Sequence, residues 1–250
     1  RRDGVPDEVF HNIRLELRTT GEKQVLSGTV TDPDWGQWTV SGGREKAADP
    51  ITLLLKTAKE VRATMPLLRR APFVPPSTWR AVECEGDTTC EVTLRFVPGE
   101  PVHYRADLSP HNTAVYVPSI SLRAAGASGR VVIEDNLLTL SNVRGAASGG
   151  EVRLGSVMDF RTPGQSVLRF AVATSRISPR LLPETWGVPH FADGELEGKA
   201  DLELDLRNGY LVTTRGQGQG TLRMWPFLRP LEIFLQADGR RFRFGLGKNP

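Results

Sequence analysis

Apolar and polar side chains alternate along most of this chain. Ile13, Leu15 and Leu17 are separated by Arg14 and Glu16, and Val92, Leu94 and Phe96 by Thr93 and Arg95. The same period of two runs through Val102, Tyr104, Ala106 and Leu108, and through Val152 and Leu154. It returns in Leu202, Leu204 and Leu206, in Leu231, Ile233 and Leu235, and in Phe242, Phe244 and Leu246. Successive side chains of a strand point to opposite sides of its sheet, so each run predicts a strand with one apolar and one polar face. Turn formers punctuate the runs: Thr20-Gly21, Asp32-Pro33-Asp34, Pro98-Gly99, Glu134-Asp135-Asn136, Arg207-Asn208-Gly209 and Asp238-Gly239. Many strands joined by short turns predict a mainly β fold, an antiparallel sheet built from meanders.

One stretch breaks the period. Asp49-Pro50 has the form of a helix start, with a carboxylate to cap it and Pro in the first turn. Ile51, Leu54, Leu55, Ala58, Val61, Met65 and Leu68 follow at helical spacing. They predict an amphipathic helix over residues 50–69, which Pro66 and the Pro-rich stretch 72–76 bring to an end. A shorter helical turn is predicted within residues 174–182, limited by Pro179 and Pro183.

The sequence also repeats itself. Pro76-Ser77-Thr78-Trp79 returns as Pro183-Glu184-Thr185-Trp186, each preceded by a Leu pair, Leu67-Leu68 and Leu181-Leu182. Upstream, Gly36-Gln37-Trp38-Thr39-Val40 resembles Gly150-Glu151-Val152-Arg153-Leu154 in the same order. Agreement in both order and spacing predicts two tandem modules, residues 1–110 and 111–250, continuing one sheet.

Composition narrows the function. A net charge of +3 arises from 32 basic and 29 acidic residues that are well mixed along the chain, most of the basic ones Arg. Nucleic-acid binding needs clustered positive charge interleaved with aromatics, and this sequence has no such patch. No apolar run approaches the roughly 18 residues of a membrane span. The chain opens on Arg1-Arg2-Asp3-Gly4 without Met or leader, and is expected to be an interior or C-terminal piece of a longer protein.

Candidate chemistry is sparse. Cys84 and Cys90 flank Glu85-Gly86-Asp87-Thr88-Thr89, which reads as a hairpin turn. A disulfide there would restrict the unfolded chain by about 2 kcal/mol, and two free thiols are the alternative. The spacing does not suit zinc. His103 falls on the polar side of a strand, while His11, His111 and His190 fall at turns and form no ligand spacing. Glu134-Asp135 and the Glu195, Glu197 pair read as solvated carboxylates. No nucleophile, metalloprotease or phosphate-loop motif is present, so no enzyme, cofactor or metal is expected. Gly216-Gln217-Gly218-Gln219-Gly220 continues as a strand, Thr221-Leu222-Arg223-Met224, so its three glycines share one bare face.

The segment from Leu196 to Leu235 resembles the C-terminal region of the bacterial AsmA-like family. It holds Gly-Lys-Ala-Asp-Leu-Glu-Leu-Asp-Leu, the Asn-Gly turn, and the glycine-spaced strand followed by the apolar, Pro-containing Trp-Pro-Phe-Leu. The stretch from Val131 to Leu154, with Leu140-Ser141-Asn142-Val143-Arg144-Gly145, is similar to the family's repeating unit. The first 43 residues echo it, with Phe10-His11-Asn12-Ile13 and Leu26-Ser27-Gly28 leading to Gly36. The resemblance implies a bridge-like lipid transfer protein of the periplasm, anchored to the inner membrane by an N-terminal helix. It also implies a long curled β-sheet whose concave apolar face carries phospholipid between envelope membranes.

Physical reasoning adds a reason for such a groove. An amphipathic sheet must cover its apolar face, either with a second sheet or, in a curled groove, with acyl chains. The groove expectation assigns the lining to Ile13, Leu15, Leu17, Val92, Leu94, Phe96, Val152, Leu154, Leu202, Leu204, Leu206, Phe242 and Phe244. The helix over 50–69 would lie across the groove mouth with Leu54, Leu55 and Val61 inward, or else pack as ordinary core. The competing expectation is a structural or adhesive β-sandwich of a secreted or surface protein. A carbohydrate-acting enzyme on a β scaffold ranks below both.

Overall fold

The period-two runs form the strands of one antiparallel sheet. The computed structural model describes residues 12–71, 74–118, 121–184, 193–224, 229–239 and 241–247, with the side chains of Arg241 and Phe242 outside that description. The first part of the chain supplies β1 (Ile13–Thr20), β2 (Lys23–Asp32), β3 (Gly36–Arg44), β4 (Ile51–Thr57) and the short β5 (Val61–Ala63). Two short helices follow, α1 (Met65–Arg70) and α2 (Thr78–Ala81), and then the long strands β6 (Glu83–Phe96) and β7 (His103–Val117). Next come β8 (Leu122–Glu134), β9 (Leu137–Ala147), β10 (Gly150–Asp159) and β11 (Gln165–Ile177). After a 3-10 turn at Pro179–Leu181 the chain continues through β12 (Gly194–Arg207), β13 (Tyr210–Met224), β14 (Leu231–Gly239) and β15 (Arg241–Leu246).

Among the described residues the sheet has 15 strands, paired in chain order from β1 to β15 except that β5 joins the side of β6. It is open: β1 pairs with β2 and β15 with β14, at opposite edges of that order. The turn residues explain the meander. Asp135 and Asn136, Ser148 and Gly149, and Asn208 and Gly209 all have positive φ, the geometry of two-residue hairpins that matches strand twist.

Curl is built into the strands by bulges. Asn112 in β7, Asn142 in β9 and Arg176 in β11 have φ of 47, 54 and 56°, and each lies where the pairing register gains a residue. Such an insertion bends its strand and adds twist. The result is visible in one contact. Arg80, three residues before β6, donates from Nη1 to the Asn208 carbonyl at 3.2 Å. Six strand intervals separate β6 from β12, about 29 Å in a flat sheet, and Asn208 stands at the other end of the strands. Only a strongly curled sheet brings the two together.

Three local expectations are corrected. The helix over 50–69 is replaced by β4 and β5, with α1 alone remaining helical. Leu53 to Leu55 is a short apolar run that fits a helix face and a strand equally well. Here it is held between β3 and β6, and Leu53 and Leu55 point to one side of the sheet. Asp49 accepts from the Lys46 N–H at 2.9 Å, closing a turn before the strand. Pro66 sits in the first turn of α1, where a missing N–H costs nothing, and so opens the helix it was expected to end. Likewise the helical turn expected within 174–182 shrinks to the 3-10 turn at Pro179–Leu181, since β11 runs to Ile177.

The third correction concerns residues 84–90, which lie within β6 and pair with β5 and β7, so they make no hairpin turn. Cys84 and Cys90 stand six residues apart on one strand, about 20 Å, far beyond the reach of a disulfide. Both are free. Burial pushes the Cys84 thiol up to about 11; burial first, then the nearby Asp107 and Glu91, pushes Cys90 up to about 12. These are inert packing groups.

The repeated tetrapeptide falls on the two longest connections between strands, 64–82 before β6 and 178–193 before β12. Each follows four meandering strands and precedes a long hairpin, with β5 as an addition in the first half. Residues 110 and 111 lie within β7, and the two element sets meet at the β7–β8 turn. Thr185 and Trp186 lie outside the described residues, as do His11 and His190.

Candidate functional site: the inner face of the sheet

Direct partners on neighbouring strands share a face, so the register identifies the apolar side. One row runs Leu15, Gly28, Val40, Leu55, Val92, Ala106, Ile133, Leu138, Met158, Leu168, Leu204 and Thr214. Two residues away, Leu108, Val131, Leu140, Ser156, Phe170, Leu202, Gly216 and Ala237 lead to Phe242 on β15. A third row joins Val143, Leu154, Val172, Ala200, Gly218, Leu235 and Phe244. Ile13, Leu17, Leu94, Phe96, Val152 and Leu206 occupy the same face of their strands. All thirteen residues expected to line a groove therefore fall on one side of the sheet, Phe242 by its backbone pairing.

The opposite face is polar and crossed by ion pairs. Arg105 meets Glu134 and Arg169 meets Glu203, both at 2.6 Å, and Arg130 pairs with Asp107. These pairs are exposed and screened, so they add little to stability, and their main effect is to keep that face in water. His103 belongs to this side: its Nδ1 lies 2.9 Å from Asp135 and its Nε2 3.4 Å from Glu100. His111, expected at a turn, is instead within β7 and meets Glu60 at 3.2 Å. No three His, Cys, Asp or Glu side chains converge to hold a metal among the described residues.

Coverage of the inner face is uneven. On the edge strand β1, Ile13, Leu15 and Leu17 are 53, 50 and 61% exposed. In the middle, Val92 is only 6% exposed, and Ala106, Ile133, Met158, Phe160 and Leu206 are buried beside it. What buries them is the chain itself. Val74 is part of that core, and Trp79 and Ala81 of α2 pack against it. Residues 74–82 thus cross the concavity from β6 toward β13, where Arg80 stacks over the Tyr210 ring at 5.4 Å.

No protein-family model, no curated protein and no solved structure matches this chain. Nor is any helix among the described residues long and apolar enough to cross a membrane.

The bare glycine face has a structural occupant. A β-carbon on Gly216 would lie 2.1 Å from the Asp201 carbonyl oxygen, and the Leu202 side chain leans over it. Close approach of β12 thus explains the glycine spacing without a ligand. Sequence reasoning missed the crossing segment as the cover of the face, although the repeated Pro-x-Thr-Trp marked it. It also missed the polar atoms that segment traps. Thr78 Oγ1, Trp79 Nε1, Ser156 Oγ and Thr214 Oγ1 are buried without a hydrogen-bond partner.

Proposed function

We propose that this chain carries the acyl chains of phospholipid along the inner face of its curled sheet, without catalysis, as a segment of an AsmA-like bridge between bacterial envelope membranes. The observation that carries the reading is the separation of faces. Overlapping cross-strand rows of apolar and small residues run from β1 to β13 and from β7 to β15, and most of the charged side chains lie on the other side. Each methylene transferred from water onto such a surface contributes about 0.8 kcal/mol, so tails are held without any specific polar contact. Because the rows run across the strands, a tail moving along them exchanges one apolar contact for an equal one. Movement then needs no large barrier to be crossed, and the head group stays at the open edge in water. The periplasmic setting, and an inner-membrane anchor in a part of the protein outside this sequence, come from the family resemblance.

A second reading is a structural β-domain, favoured by the burial of Val92, Ala106, Ile133 and Met158 beneath Val74 and Trp79. Mass spectrometry of organic extracts separates the two. Purification from a bacterial host should yield diacyl phospholipid at near-stoichiometric level; protein that stays lipid-free after incubation with phospholipid vesicles is the structural domain.

A further inference from the structure

We infer that residues 74–82 are a displaceable plug, a piece of the chain that occupies the acyl site and must lift for lipid to pass. The inference rests on the acyl-carrying reading above and names how that site is regulated. Val74 and Trp79 stand on the middle of the inner face, where an acyl tail following the central rows has to lie. The same surface cannot hold both.

Three features make this segment the part that yields. First, its backbone hydrogen bonds are local. Thr78 N–H donates to the Pro75 carbonyl at 2.9 Å, Trp79 N–H to Pro76 at 3.3 Å and Arg80 N–H to Ser77 at 3.1 Å. Lifting it as a unit therefore leaves the ladder of the sheet intact. Second, it carries buried polar atoms without partners. Thr78 Oγ1 and Trp79 Nε1 have lost water and gained nothing, a cost that opening removes. A tail that replaces Val74 and Trp79 preserves apolar contact and lets both polar atoms return to water. Third, its far attachment is slight. α2 is four residues long with no side-chain cap, and within it the exposed Arg80 holds the β12–β13 turn by one hydrogen bond to Asn208 and the stack on Tyr210, beside the packing of the Ser77 carbonyl on Gly209. Arg80 works as a latch.

The test uses the whole chain, a pyrene-labelled fatty acid as probe, and hydrogen–deuterium exchange. In the unaltered protein, saturating probe should speed exchange of the amides of residues 74–82 while the central strands stay protected. Arg80→Ala, at an exposed position, should take up probe several-fold faster at unchanged capacity, and Trp79→Ala should bind it several-fold more tightly. If Trp79→Ala fails to fold, the exchange data and Arg80→Ala still decide. Probe binding with unchanged exchange in 74–82 and an unaltered Arg80→Ala rate makes the segment fixed core, and the plug falls while the acyl site stands. No probe uptake by the unaltered protein or by either variant removes the acyl site and the plug with it.

Discussion

His103 shows how single residues keep the outer face wet and ordered. Hydrogen bonding to Asp135 first, then to Glu100, raises its pKa above the ordinary 6.5. Burial alone would push the Asp135 carboxyl up, but hydrogen bonds from His103 and from the Tyr104 N–H more than offset this and hold it low. The contribution of His103 to stability is therefore complete below pH 6.5 and is lost as pH rises through its raised folded value. An NMR titration should place the His103 midpoint above 6.5, falling back toward it in Asp135→Asn. Asn accepts the positive φ of 42° at this turn, so the variant removes charge with little strain. An unmoved midpoint would mean that the ion pair does not form in solution.

At the scale of the element, glycines set how tightly strands can approach. Gly216 has φ of 140°, a conformation other residues rarely adopt, and its missing side chain lets the Asp201 carbonyl come close. Gly216→Ala should cost about 1–3 kcal/mol in urea unfolding. Gly218→Ala, without the unusual φ but 2.7 Å from the Ala200 β-carbon, should cost less; equal costs would show that backbone conformation is not what matters at Gly216. The strands themselves were legible because alternation such as Leu202, Leu204 and Leu206 between carboxylates has no other stable reading. The stretch from Ile51 to Leu55 was not, because Leu54 puts an apolar side chain on the opposite face between Leu53 and Leu55 and interrupts the alternation that identifies a strand. Residues 84–90 failed for the converse reason. Their inward side is made of Cys, Gly and Thr, small groups that read as a turn although they fit where the sheet bends inward. Which face lines the candidate site followed from alternation alone; what covers it depends on a contact between residues 80 and 208, which no local pattern carries.

For the molecule as a whole, the decisive contrast is between the covered middle and the open flank of one apolar face. Leu204 is 5% exposed within the core of β12, whereas Leu15, in the same cross-strand row, is half exposed on the edge strand β1. If the face served only to hold the fold together, both residues would matter in proportion to their burial and nothing else. If it carries acyl chains, the exposed flank has work to do that stability does not register. Leu204→Ala should lower unfolding free energy by about 2–5 kcal/mol, the cost of a buried leucine and its cavity. Leu15→Asp should change stability by less than about 1 kcal/mol, as exposed substitutions do. The same Leu15→Asp should nevertheless weaken binding of a fluorescent fatty acid, because it puts a carboxylate in the path of a tail entering from β1. Full binding by a folded Leu15→Asp protein would confine any acyl site to the middle of the sheet, and lipid could then reach it only where residues 74–82 lift.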